Sequence, residues 1–241
     1  MIEKPSSAPA PSGGWQSATV ASIHPETPTA KTFTLGFEQP TPYLAGQHLI
    51  IRLTASDGYT ASRAYSIASA PDSSNSADVT IERLPGGEVS MFLHDEVAVD
   101  DVVDVRGPIG GWFVWRGDTP ALLIGGGSGI VPVMAMLRLA RRLEHPPGVH
   151  LLVSVRSPDD LYYSDELPGP DTTVVYTRKS PADSRRPTGR ISRDDVDPLV
   201  EPLATAYICG SAPFCDAATE IIIDSGIESE HIRIERFGPS G

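Results

Sequence analysis

The chain's tightest constraint is a glycine turn. Gly125, Gly126, Gly127, Ser128 and Gly129 run into Ile130, Val131 and Pro132. An apolar, strand-like segment, Ala121–Ile124, precedes the turn, and a helical pattern from Val133 to Ala140 follows it. Strand, glycine turn and helix together form the context in which such a string binds a pyrophosphate. Without Cβ atoms the backbone amides can approach an anion closely, and the helix N-terminus adds partial positive charge. Ile130 stands where the common dinucleotide fingerprint has a third glycine. Pro132 suits the first helical turn, where no N–H is required. The same string also suits a plain tight turn in an α/β sheet.

The 241 residues can form one large domain or two medium ones, and 40% hydrophobic content allows a real core. No run approaches the roughly 20 apolar residues that span a bilayer, so membrane insertion is not expected. The first 14 residues, Met1 to Gly14, are rich in Ser, Pro and Ala and lack a secretory apolar segment. They read as a flexible tail on a cytoplasmic protein. A net charge of −12 argues against nucleic acid as a partner. The two cysteines, Cys209 and Cys215, cannot ligate a four-thiolate iron–sulfur cluster. The histidines, including His94, His145 and His150, show no metal-ligand spacing, so no metal is expected.

The first half reads as β-rich. Candidate strands are Ser17–Ile23, Thr32–Phe37, His48–Leu53, Arg63–Ser69, Val79–Arg83 and Val102–Arg106, with a short helix near Val89. Their Val, Ile and Thr content and their spacing predict an antiparallel six-stranded β-barrel. From Asp118 strands and helices alternate: Ala121–Ile124, then 130–143; Val149–Val155, then 158–166; Thr173–Thr177, then 192–200; Ala206–Cys209, then 213–224; and Ile232–Glu235. Such alternation predicts an α/β domain with a parallel sheet. The expected division is tail 1–14, barrel 15–117 and α/β domain 118–241, with a polar loop at Lys179–Arg190.

A second motif reads Arg63, Ala64, Tyr65, Ser66, continuing as Ile67, Ala68, Ser69. In a strand Arg63 and Tyr65 face one side and Ala64 and Ser66 the other. By itself the string also fits a half-exposed strand. In order, this motif, a barrel, a Gly107-Pro108 turn and the glycine turn resemble the ferredoxin–NADP reductase family over residues 15–241. The resemblance implies FAD on the barrel and NADPH or NADH on the second domain. Arg63 would pair with the FAD pyrophosphate, Tyr65 would stack on the isoalloxazine and Ser66 would lie near N5. Ala64 belongs to the same FAD-binding motif, and Ile67, Ala68 and Ser69 would add backbone contacts. Gly86 to Ser90 resembles the family's second pyrophosphate loop, with Gly87 and the amides of Val89 and Ser90 opening a helix.

The same resemblance assigns Gly125, Gly126, Gly127, Ser128, Gly129 and Pro132 to the NAD(P) pyrophosphate. It assigns Cys209 and Gly210 to nicotinamide placement, Glu235 to proton movement near Ser66, and Phe237 to a cover over the flavin. Ser66, Cys209 and Glu235 are the expected catalytic residues. Arg156 ends the second strand of the α/β half, and Thr177 and Arg178 end the third. Several family members hold the NADP 2′-phosphate with a hydroxyl–Arg pair at the latter position. With Lys179, Arg185 and Arg186 nearby, the cations favour NADPH, although an Arg is also common there in NADH enzymes. The expected function is hydride uptake from NAD(P)H and electron delivery to a separate ferredoxin, oxygenase component or cytochrome. Two alternatives stay open: a reductase of free flavin or small acceptors, and a non-catalytic flavin- or nucleotide-binding regulatory subunit.

Overall fold

The computed structural model describes residues 14–238. The expected tail, apart from Gly14, lies outside the described residues, as do residues 239–241. Strands β1 (Gln16–Thr27), β2 (Ala30–Phe37), β3 (His48–Thr54), β4 (Thr60–Ser66) and β5 (Ser76–Glu82) precede helix α1 (Glu88–Asp95) and strand β6 (Val102–Ile109). They form one antiparallel six-stranded sheet in the order β4-β3-β6-β1-β2-β5. The sheet curls so that its ends meet. An antiparallel bridge pairs Ile67 with Val79, and the Ala68 amide donates to Asp78 O at 2.7 Å. Phe33, Leu35, Leu49, Ile51, Val79, Ile81 and Val105 fill the interior, as period-two alternation requires.

The second half holds β7 (Ala121–Gly126), α2 (Ile130–Arg142), β8 (Val149–Val155), β9 (Thr172–Tyr176), α3 (Arg193–Val196), β10 (Thr205–Ser211), α4 (Ala212–Asp224) and β11 (Ile232–Phe237). Its sheet is wholly parallel, ordered β11-β10-β7-β8-β9. Alternate residues divide cleanly between the faces. Leu123, Leu151, Val153, Tyr207 and Cys209 pack with α2. Leu122, Ile124, Leu152, Ala206 and Ile208 pack with Cys215, Ala218 and Ile222 of α4. The α2 layer also takes in Ala30, Ala45, Ala68, Phe113 and Trp115 from the first half, so one core runs through both.

Three expectations change. Strand β4 starts earlier and stops at Ser66, because Ile67 leaves β3 to close the barrel on β5. The helix expected over 158–166 is a single 3-10 turn at Pro158–Asp160. Leu161, Tyr162 and Tyr163 behind it are all buried, and Tyr163 sits at φ +57°. Three consecutive buried side chains cannot share one helix face, and here they pack between sheet and barrel. The helix expected over 192–200 is one turn, closed at its start by a Ser192–Asp195 capping box and followed by a 3-10 turn containing Pro198.

Gly46 has φ +99°, and a Cβ there would lie 1.9 Å from Phe113 O. Here the chain leaving the barrel crosses β3's approach with no room for a side chain, and Trp115 N donates to Ala45 O at 3.1 Å. Gly46→Ala should therefore cost at least about 3 kcal/mol, from left-handed strain plus overlap. Chemical denaturation at pH 7 measures it; a loss under about 1 kcal/mol contradicts the assigned packing.

Candidate functional site

The Arg63–Ser66 motif, expected to meet a flavin, lies on β4. In the β3–β4 register Arg63 faces Ile51, Tyr65 faces Leu49 and Ser66 faces His48. Antiparallel partners share a face, so Arg63 and Tyr65 stand over the barrel's inner rows while Ser66 and His48 stand on the other side. Tyr65 is half-buried and packs on the barrel core, and burial raises its phenol well above the ordinary range. Arg63 is exposed. Its guanidinium donates to Ser62 O at 2.8 Å and makes no ion pair with another described residue. A cleft of about 460 Å³ continues along the same side, lined by Leu53, Tyr59, Ala61, Glu88 and Phe92 among others.

Helix α1 begins at that cleft, with Gly87 as its N-cap. A Cβ on Gly87 would lie 2.5 Å from Ser90 Oγ and 3.0 Å from Leu84 O, so the turn closes only around glycine. Ser90 is buried; its hydroxyl accepts from Leu84 N at 3.2 Å and donates to Gly87 O at 3.3 Å. Val89 is buried too. The side chains of Val89 and Ser90 build the turn, which leaves backbone amides as their only route to a ligand.

The residues after Ser66 depart from expectation. Ile67 and Ala68 are fully buried, and their amides donate to Gln47 O and Asp78 O. The Ala68 carbonyl accepts from Arg138, and Ser69 Oγ is engaged by Tyr43 Oη and the Asp78 amide. These bonds seal the barrel seam and occupy the Ile67 and Ala68 amides and the Ala68 carbonyl. The exposed Ala64 stays on the open side of β4.

In the second half the glycine turn lies between β7 and α2, at the C-terminal ends of β7 and β10. A Cβ at Gly125 would meet Ile130 Cα at 2.8 Å, one at Gly129 would meet Cys209 O at 2.1 Å, and one at Gly126 would strike the Phe214 ring at 2.6 Å. Gly127 adopts φ +56° with open space before it. Ser128 lies beside it in a 3-10 turn that runs into α2, and Pro132 is buried in the first turn of that helix. Ile130 can replace a third glycine because the close approach is made at Gly125. The ligand edge is thus where strand order reverses, the place where open α/β sheets bind nucleotides.

Cys209 is fully buried, and burial, with the nearby Glu235 carboxylate, pushes its thiol well up. It stays a neutral thiol, suited to packing and placement rather than attack. Glu235 is its register partner on β11. Burial pushes that carboxyl up to about 7. Phe237, two residues on, packs on the cluster containing Cys209, Tyr207 and Ala68. Gly210 lies beneath Phe214, whose ring would be 2.6 Å from a Cβ there. At the far strand ends Arg156 and Arg178 are both exposed, and neither is paired among the described residues. Thr177 donates its hydroxyl to Val155 O at 3.2 Å, so it is not free to donate to a phosphate. Arg186 is committed to Asp195 at 2.5 and 2.8 Å and to two carbonyls, which removes it from the expected cation group.

Two contributors escaped the sequence reading. Phe214 covers Gly126 and Gly210 together. His48 pairs with Ser66, and burial lowers its imidazole below the ordinary range. Phe214 had a signal, its place one turn into a helix that opens at the switch point. His48 had none, because strand register decides its neighbour.

Two family descriptions match the chain: an oxidoreductase FAD-binding domain over residues 17–114 and an oxidoreductase NAD-binding domain over residues 123–220. The chain belongs to the ferredoxin reductase-like family. It is an NAD(P)H flavoprotein reductase by class. The ferredoxin–NAD(P)(+) reductase component of naphthalene 1,2-dioxygenase/salicylate 5-hydroxylase systems from Ralstonia sp is 30% identical over 92% of this chain and 69% of its own length. The reductase component of propane 2-monooxygenase from Rhodococcus jostii is 28% identical over 90% of this chain. The chain spans 62% of the length of that relative. The flavohem-like FAD/NAD-binding domain of nitric oxide dioxygenase from Vibrio cholerae has the same fold, with TM-score 0.79 and 24% identity over 92% of this chain and 98% of that one. No helix among the described residues is long and apolar enough to cross a membrane.

Glu235 makes stability depend on pH. Its folded value near 7 lies above the ordinary 4.5, so the fold prefers the protonated form. The stabilisation is complete below about 4.5 and is lost as pH rises through about 7. Glu235→Gln should unfold like the parent at pH 5 and be more stable than it at pH 8, by up to about 2–3 kcal/mol. Thermal unfolding across that range checks it; a difference between the two proteins that does not change with pH removes the assignment.

Proposed function

We propose that this reductase draws hydride from NADPH or NADH and delivers electrons to a separate iron–sulfur or haem protein, as the reductase component of an oxygenase-type system. The carrying observation is the pair of glycine-built anion turns, one in each half, flanking a single shared core. A free guanidinium, Arg63, stands beside the first, and the second opens at a strand-order reversal. The proposed division is a barrel over 15–117 and a nucleotide domain over 118–241.

The residues present fit FAD. Arg63 supplies an uncommitted fork for a diphosphate. The turn at Gly87 admits no Cβ and opens α1 toward the same side of β4. Tyr65 offers a partly covered aromatic face, and Ser66 and His48 present a hydroxyl and an imidazole from the neighbouring rows. Bound FAD supplies the conversion between two-electron and one-electron transfer. The turn from Gly125 to Gly129 would hold the nucleotide pyrophosphate, and Phe214 would wall the space above Gly126 and Gly210. Cys209 would set nicotinamide depth as a neutral thiol. Glu235 would hold a proton near neutrality on the adjacent strand, and Phe237 would exclude water from the same cluster.

Ligand chemistry supports a separate acceptor. The 241 residues contain two cysteines, and both are buried, so a four-thiolate cluster has to lie outside them. The relatives' role as reductase components supports the same choice. Arg156 and Arg178 favour NADPH, since both are exposed and neither is paired among the described residues. A cytoplasmic setting suits this chemistry.

The protein should take up about one FAD per chain, and stopped-flow mixing with NADPH or NADH should bleach the flavin band at catalytic rates. Reduction too slow for turnover overturns the reading. Arg63→Ala should weaken FAD retention tenfold to a hundredfold, about 1.5–3 kcal/mol for one charge-assisted contact; equilibrium dialysis measures it, and unchanged retention removes Arg63 from the site.

Nucleotide choice has its own test. Arg178→Ala should lower kcat/KM for NADPH about tenfold, or roughly 1.4 kcal/mol, and leave NADH nearly unchanged. Only NADPH carries the additional phosphate, so only its rate reports the lost contact. Equal losses with both nucleotides, or a parent protein that prefers NADH, sink the NADPH assignment.

A further inference from the structure

Helix α2 does more than open at the glycine turn. Two turns along it, Arg138 reaches out of the α/β half. Its Nη1 donates to Ala68 O at 2.9 Å, two residues beyond Ser66. Its remaining edge forks onto Glu166, with Nε 3.2 Å from Oε1, and its guanidinium lies 4.6 Å over the Tyr163 ring. The side chain is only 19% exposed, so water competes weakly for these bonds. One turn further, Arg142 reaches Ala70 O at 3.3 Å and Asp72 at 3.0 Å. Arginines four residues apart on one helix thus hold carbonyls two residues apart on the segment leaving β4.

A polar ring completes the fastening. The Tyr163 amide donates to Glu26 Oε2 at 2.8 Å, and Tyr163 Oη donates to Thr80 Oγ1 at 2.6 Å. Thr80 and Thr32 hydroxyls are 2.7 Å apart, and Thr32 donates to Glu26 Oε1 at 2.6 Å. Glu26, Thr32 and Thr80 belong to the barrel and Tyr163 to the α/β half. The backbone at Tyr163 is held left-handed, φ +57°, a conformation kept only where surrounding contacts impose it.

We propose that Arg138 is a positioning residue for hydride transfer, fixing the distance between the nucleotide turn and the flavin strand. Of the two arginines that join the helix opening at Gly127–Gly129 to the segment continuing from Ser66, it is the less exposed and the one bonded nearer to Ser66. Rates of such transfers depend steeply on placement, and about 1 Å of misplacement can cost a hundredfold. The inference rests on the reductase reading above. It predicts that weakening the brace spoils geometry while leaving each cofactor's own pocket intact.

The test uses the full FAD-loaded chain. Arg138→Met keeps the apolar stem and removes the donors. FAD content should remain at the parent level, and dithionite should reduce the flavin at the parent rate. The limiting rate of reduction at saturating NADPH should fall about tenfold or more, with the apparent nucleotide affinity changing less than about threefold. The nicotinamide–flavin charge-transfer absorbance should weaken, and amide exchange at Tyr163 should accelerate. Arg138→Lys, able to keep a single bond to Ala68 O, should recover part of the limiting rate.

A limiting rate and charge-transfer absorbance within about twofold of the parent overturn the proposal. So does a loss confined to nucleotide affinity. If Arg138→Met does not fold, Tyr163→Phe and Glu166→Gln serve instead, with smaller losses of the same kind expected; parent-like limiting rates in both overturn it. A parent protein that neither nucleotide reduces defeats the reductase reading by itself. The exchange measurement needs no turnover, and unchanged protection at Tyr163 would then overturn the brace independently.

Discussion

Helix α2 is buried on more than one side, and that burial organises the molecule. Ile130 through Leu137 are all buried, packed between the parallel sheet and the barrel. A helix apolar around its girth is stable only inside a core, so the second half cannot hide it without the first. The polar groups such a helix carries must then find partners across the boundary. Arg138 and Arg142 find carbonyls of the barrel, and Arg141 pairs with Asp171 at 2.7 Å within its own half. Burial of α2 therefore dictates both the docking of the halves and the direction in which the glycine turn points.

Closure of the barrel follows the same logic. Strands β4 and β5 are its free edges, and an unpaired edge leaves backbone groups without partners. The segment Ile67–Ser69 pairs with β5, accepts Arg138 and receives the Tyr43 hydroxyl. It joins edge closure to docking of the α/β half. Arg63 and Ala64 of β4 stay exposed and Ser66 is buried, while the part just beyond it is held from three directions.

Charge is distributed with similar economy. The chain is strongly acidic, and several arginines in the second half are paired: Arg138, Arg141, Arg142, Arg186, Arg193 and Arg236 each meet a carboxylate. Arg63, Arg156 and Arg178 make no such pair among the described residues, and all three lie at the edges where anionic ligand groups are expected. Buried acids and thiols behave in the opposite way. Glu235 and Cys209 are both driven toward their neutral forms by desolvation.

Local pattern determined a great deal. Period-two runs of Val, Ile and Thr located the barrel strands, and the glycine string located the turn between β7 and α2. Such signals act over a few residues and need no partner. Tertiary structure decided what depends on who lies opposite. The end of β4 at Ser66 follows from the Ile67–Val79 bridge, and the pairing of His48 with Ser66 follows from register. Commitment of Arg186 to Asp195 required a capping box to bring the carboxylate round. The non-helical Leu161–Tyr163 segment is the clearest case. Its residues suit a helix locally, but burying three successive side chains between two domains is worth more than one turn's hydrogen bonds. Sequence alone specified most strands and the longer helices; only packing chose the partners that join the two halves, because partners distant in sequence leave no local pattern.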